Sequence, residues 1–136
     1  MPVFNKIRAV HVAVKSVDDA VKEFSDNFNL NPSRSGEMPQ LGIRNALLPL
    51  GEAFIEFIEP LDHEKGPLAQ FLKNRGEGVY MMAWEVENLE ETIQTLQKKG
   101  IRLINAEAEA RAKGANVFIH PKSARGIMIE LLEREK

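Results

Sequence analysis

Apolar and polar residues alternate along "RAVHVAVKSVDDA" (residues 8–20), and then the period changes. Ala9, His11 and Ala13 fall on one side of a period-two pattern and Val10, Val12 and Val14 on the other, which predicts a strand. From there the apolar positions are Val17, Ala20, Val21, Phe24 and Phe28, a stripe at helical spacing. Ser16, with Asp19 three residues on, forms a capping-box-like pair that satisfies free backbone donors at the helix start. The valine face is expected to pack under this helix. The opposite face, small and polar, suits a sheet curled around a cavity.

The same pattern returns later in the chain. "AVHVAVKSVDDAVKEF" (9–24) superimposes without a gap on "MMAWEVENLEETIQTL" (81–96), an offset of 72 positions that puts Val14 on Val86, Val17 on Leu89 and Val21 on Ile93. Asn88 with Glu91 repeats the cap, and Gly100 after two lysines marks the end of the second helix. Each copy also closes on a near-identical strand, "IEFIE" at 55–59 and "IELLE" at 129–133. Between the copies, "GPLAQFLKNRGEG" predicts a short helix, with Pro67 in its first turn and an apolar face of Leu68, Phe71 and Leu72.

Further strands are expected at 43–49, 53–59, 115–120 and 126–133. At 80–86 the two faces are Met81, Ala83, Glu85 and Tyr80, Met82, Trp84, Val86. "RGEG" (75–78) reads as a turn and "NAEAEARAKG" (105–114) as a solvated connection. The pattern therefore predicts an α+β fold: two tandem βαβββ modules forming a curved, cup-like mixed sheet in a single domain over 1–136. Module one covers about 5–60, a short helical connection about 64–76, and module two about 77–134.

Composition narrows the function classes. A chain of 136 residues with 43% hydrophobic positions supports one globular domain with a real core. Its 18 basic and 20 acidic residues are intermixed, which argues against nucleic acid, since phosphate neutralisation needs a gathered basic excess. The absence of cysteine excludes disulfides, thiolate metal sites and cysteine nucleophiles. No apolar run approaches the roughly 20 residues that span a bilayer. "MPVFNKIRAV" lacks a signal-peptide layout, so a cytoplasmic protein without membrane association is expected. Phosphate-binding glycine loops, dinucleotide fingerprints, GxSxG and HExxH are absent.

Candidate chemistry centres on Glu56 and Glu130, which occupy matching positions in the last strand of each copy among apolar neighbours. A carboxylate buried there must be paired, hydrogen-bonded or metal-bound. The simpler alternative is that both point to solvent, but the repeat favours a shared inward site. His11 reads either as a hydrogen-bonded structural residue or as a ligand group, with Ala9 and Ala13 leaving room around its imidazole. His63, in "EPLDHEKG", is expected to be solvated, and His120, before Pro121, to lie in a turn or at the surface.

"FIEFIEPL", "GPLAQFLKNRGEG", "KKGIRLI", "FIHPKSARGIMIELLE" and the doubled βαβββ unit together resemble the methylmalonyl-CoA epimerases. These form a branch of the vicinal oxygen chelate superfamily, beside glyoxalase I, extradiol dioxygenases and bleomycin-resistance proteins. The similarity covers nearly the whole chain. It implies the paired-module fold, a homodimer, a small-molecule ligand such as an acyl-CoA, and one divalent metal. In the family the metal is held by histidines of each first strand and a glutamate or glutamine of each last strand. Glu56 and Glu130 match the last-strand positions.

The histidine positions do not match. The family spacing H-x-x-x-x-V, counted back from Val14, falls on Ala9, and in the second copy the ligand position is Met81. A thioether is a soft donor, poorly matched to a hard or borderline divalent ion. The repeat agrees: Met81 aligns with Ala9, whereas His11 aligns with Ala83, two residues or ~6.6 Å further along the same face. Where the family carries a carboxylate base just before its third-strand segment, this chain has Gln40, which cannot act as a base.

Three functions follow. The first is an epimerase-like isomerase or lyase acting on an acyl-CoA or related small carbonyl compound, with an altered or lost metal site. In it His11, Glu56 and Glu130 are ligands of a rearranged metal, or His11 and Glu130 are acid/base groups, and Gln40 and Met81 contact the substrate. The second is a metal-free binding protein of the same superfamily, holding an apolar or acyl ligand near Tyr80, Met81, Met82 and Trp84. The third is a glyoxalase- or dioxygenase-like enzyme, which depends on the missing histidines more strictly. One divalent metal ion or no cofactor at all is expected accordingly.

Overall fold

The computed structural model describes residues 2–135. The elements, in order, are β1 (Phe4–Ala13), α1 (Val17–Phe28), β2 (Arg34–Met38), β3 (Ile43–Leu50), β4 (Ala53–Pro60), α2 (Pro67–Arg75), β5 (Gly78–Val86), α3 (Leu89–Lys98), β6 (Leu103–Ile104), α4 (Ala108–Ala112), β7 (Val117–Ile119) and β8 (Ile129–Glu133). The α+β class and the doubled βαβββ order are those the sequence predicts. The described residues group into two compact units, one of residues 9–80 and one of 81–135 together with 2–8. None of the helices is long and apolar enough to cross a membrane.

In the first unit the strand order is β2-β3-β4-β1. β4 runs antiparallel to β3 and parallel to β1. α1 covers one face, where Val14, Val17, Ala20, Ala46, Leu48 and Phe57 are buried together, with Val12, Val21 and Phe24 against them. The valine side of β1 thus lies under the helix, as its alternation requires. On the other face Ala13 and Ile58 pack with Leu68 and Leu72 of α2, joined by Phe71 and Tyr80, whose rings meet edge-to-face at 5.0 Å.

In the second unit the order is β5-β8-β7-β6, with β5 parallel to β8. α3 closes over Val86, Ile93, Leu96, Val117, Ile119, Ile129 and Leu131. The start of β1 belongs to this unit: the Val3 carbonyl accepts the Glu87 N–H at 3.0 Å, and Phe4 meets Trp84 edge-on at 5.7 Å.

Both helix starts are capped as expected. The Ser16 hydroxyl accepts the Asp19 N–H at 3.1 Å, and the Asn88 side chain accepts the Glu91 N–H at 3.0 Å. The last strands add a second cap that the repeat explains. Glu59 accepts the Val17 N–H and Glu133 the Leu89 N–H, each at 2.9 Å, so each module's closing strand ties off its own helix. Ser16→Ala and Asn88→Ala are each expected to cost about 1 kcal/mol of stability, read from urea denaturation midpoints. Unchanged midpoints in both would mean that the glutamate caps suffice alone.

The structure departs from the sequence reading in three places. The segment taken as a solvated connection contains α4, anchored by buried Ala106 and by an ion pair from Arg111 to Glu90. β2 and β6 carry little apolar alternation and exist through pairing with β3 and β7. β8 begins at Ile129, not 126, because a turn with Arg125 at φ 56° and Gly126 at φ 91° precedes it; positive φ there favours glycine.

Candidate functional site

The register of β1 on β4 sets His11 opposite Glu56, on the face away from α1. His11 Nε2 lies 2.9 Å from Glu56 Oε1. From the other side, β3 brings Asn45, whose Nδ2 donates to Glu56 Oε2 at 3.2 Å. Both carboxylate oxygens are therefore engaged, and the polar chain Asn45–Glu56–His11 crosses three adjacent strands. His11 is only 4% exposed, between Ala9 and Ala13, which are also buried.

Burial alone drives the Glu56 carboxyl toward its neutral form. The hydrogen bond and charge of His11, with the Asn45 bond, outweigh it and hold the group below its ordinary value of 4.5. An ionised carboxylate only accepts, so His11 Nε2 carries the proton and donates it. That leaves His11 Nδ1, which is buried and has no hydrogen-bond partner among the described residues. Buried polar atoms are nearly always paired, so this nitrogen requires an explanation. The other such atom, Trp84 Nε1, sits on a side chain packed against the core of the second unit.

Glu56 does not point to solvent, and neither does Glu130, which is 8% exposed. Glu130 stands in register with Ala83 on β5 and Phe118 on β7. The equivalent couples in the two modules are thus His11–Glu56 and Ala83–Glu130, the same correspondence that the sequence repeat gives. Met81 is half-buried on β5, and Gln40 is exposed in a short turn, Pro39–Leu41. Tyr80 and Trp84 are occupied in packing against Phe71 and Phe4. His63 is exposed beside Glu59 at 3.4 Å. His120 Nδ1 accepts the Lys122 N–H at 3.0 Å, and lost solvation, with the charges of Arg102 and Lys122, lowers its pKa.

Sequence reasoning missed Asn45: a lone asparagine in a strand carries no signal until its register is known. It also missed an open cleft of about 370 Å³ in the second unit, lined by Asn5, Lys6, Arg8, Glu85, Arg134 and Glu135. Its guanidinium groups are already committed, Arg8 to Glu85 at 3.4 Å and Glu135 at 3.1 Å, and Arg134 to Glu87 at 3.0 Å.

Residues 9–119 match the model of the Glyoxalase/Bleomycin resistance protein/Dioxygenase superfamily. The mitochondrial methylmalonyl-CoA epimerase of Bos taurus is 34% identical over 135 residues, covering 96% of this chain and 76% of that one. The chain belongs to this superfamily, on its methylmalonyl-CoA epimerase branch. Among solved structures, a hypothetical protein from Bacillus halodurans is 36% identical with a TM-score of 0.85, covering 96% of this chain and 95% of the other. The methylmalonyl-CoA epimerase of Mycobacterium tuberculosis is 30% identical with a TM-score of 0.81, covering 96% and 88%.

The divalent metal that the family resemblance implies does not fit the side chains present. Ala9 offers no donor and Met81 only a thioether. His11 Nε2 and both Glu56 oxygens are already bonded within the chain. Among the described residues no three or more His, Cys, Asp or Glu side chains form a group able to hold a metal ion.

Proposed function

We propose that this chain removes and returns the proton α to the thioester carbonyl of an acyl-CoA, an epimerase chemistry carried out without the family's metal arrangement. The observation that carries this reading is the part-buried Asn45–Glu56–His11 chain, with His11 itself buried, in a member of the epimerase branch. Proton abstraction beside a carbonyl needs a positioned acid/base group and exclusion of bulk water. His11, which is buried, and Glu56, which is partly buried, provide such a group. Glu130, buried on the last strand of the second module, is the further acid/base candidate, and Gln40 and Met81 are proposed as ligand contacts.

The test is deuterium incorporation into methylmalonyl-CoA in heavy water, followed by mass spectrometry, with protein freed of metal and again with added Mg²⁺, Mn²⁺ or Co²⁺. Exchange above the protein-free rate, insensitive to chelator, is expected. Exchange that appears only with added metal would remove the metal-free part of the proposal. A thioester series with no exchange under any condition would remove the epimerase reading. The loss of donors at Ala9 and Met81 favours one second reading, a metal-free acyl-CoA binder. Retention of acyl-CoA in native mass spectra without turnover would select it.

A further inference from the structure

We infer that His11 is the base of this site and acts through Nδ1, with Glu56 and Asn45 as positioning residues. The inference rests on the α-proton chemistry proposed above and assigns its proton-transfer atom. The large majority of buried side-chain nitrogens are hydrogen-bonded. Here one nitrogen is fixed by Glu56 and the other is bare. Its nearest neighbours along the strand face, Ala9 and Ala13, have no polar side-chain atom to offer, and the strand backbone on either side is paired to β4. A partner for Nδ1 must come from outside the chain.

The chain of bonds also sets the tautomer. Asn45 holds one oxygen of Glu56, which aims the other at Nε2 and keeps the proton there, so the lone pair sits on Nδ1. This is how a buried carboxylate orients an imidazole base in hydrolytic triads. In the step itself the α C–H bond breaks and its electron pair moves into the thioester as an enolate. The proton binds Nδ1, and the resulting imidazolium is countered by the Glu56 carboxylate. Return of the proton to carbon restores the neutral ring. Exchange needs only this one group, whereas inversion needs delivery to the opposite face, so exchange is the direct readout.

Nδ1 is sealed from solvent in the free chain. In the second module Ala83, and not a histidine, stands in register with Glu130.

The experiment measures metal-free exchange of methylmalonyl-CoA in wild type, His11→Gln, His11→Ala and Glu56→Gln. His11→Gln is expected to lower kcat about 10²–10⁴-fold with KM changed only slightly, and Glu56→Gln to lower kcat less, also at nearly constant KM. Added imidazole is expected to restore exchange to His11→Ala in proportion to its concentration, which a structural role would not produce. Nitrogen-15 NMR of wild-type protein, independent of any variant's folding, is expected to show His11 protonated on Nε2, with the Nδ1 resonance shifting on addition of methylmalonyl-CoA. Wild-type exchange persisting in His11→Gln, failure of imidazole rescue in folded His11→Ala, or a proton on Nδ1 in the free protein would each overturn the assignment while leaving the epimerase reading intact. Absence of metal-free exchange in wild type would instead defeat the metal-free part of that reading and take this inference with it.

Discussion

Phe57→Ala is expected to lower the unfolding free energy by about 3–5 kcal/mol. Phe57 is 1% exposed, and its ring meets Phe24 of α1 edge-to-face at 4.8 Å. It lies in the core with Val17, Ala46 and Leu48, on the strand residue next to Glu56 but facing the helix. Truncation removes the transfer free energy of the ring and leaves a cavity between helix and sheet that close-packed neighbours fill only partly. Small domains have about 5–15 kcal/mol in total, so the variant is expected to be near the limit of folding. Urea denaturation is the check, with Phe57→Leu expected to lose clearly less. A loss under about 1 kcal/mol for Phe57→Ala would mean that the ring is not closely packed.

Glu56→Leu is expected to cost about 1–3 kcal/mol, because it leaves the His11 Nε2–H and an Asn45 amide proton without their acceptor. The cost is also expected to depend on pH. In the folded chain the Glu56 carboxyl is held below its ordinary value of 4.5, so at acid pH the unfolded chain binds the proton first. Its contribution is fully present above that ordinary range and is lost as pH falls through the lower, folded value. The stability difference between wild type and Glu56→Leu should therefore shrink as pH is lowered below about 4.5. Chemical denaturation at a series of pH values reads this directly. A difference that stays constant between neutral and strongly acid pH would show that the His11 and Asn45 bonds do not favour the charged carboxylate.

The two halves of this protein differ in how they reach the same local design. Each last strand carries two glutamates three residues apart: Glu59 and Glu133 close the helix N-termini, while Glu56 and Glu130 are turned inward. The first pair performs the same role in both modules. The second pair does not, since only Glu56 has a histidine beside it in register. The residue in register with the inward glutamate is one place where the copies differ, His11 in the first and Ala83 in the second.

Helices, caps and the tandem repeat are legible in the sequence because residues three or four apart decide them. Ser16 and Asp19, or Asn88 and Glu91, meet whenever a helix starts there. The α+β class and the module order follow from the same local periods, and the pairing of Ala9 with Met81 can be read by aligning the chain with itself. Edge strand β2 is not legible, since it is almost wholly exposed and owes its form to the backbone of β3. Nor is the partner of His11: it lies 45 residues away in Glu56, and a slip of one residue between β1 and β4 would turn one of the two to the other face. Sequence by itself determined the fold class, the doubled module and the capped helices. Tertiary structure alone decided that His11 donates to Glu56, that Asn45 closes the other side, and that Nδ1 is left bare. Those contacts depend on strand register and burial, which join residues distant in the chain and leave no trace in any local pattern.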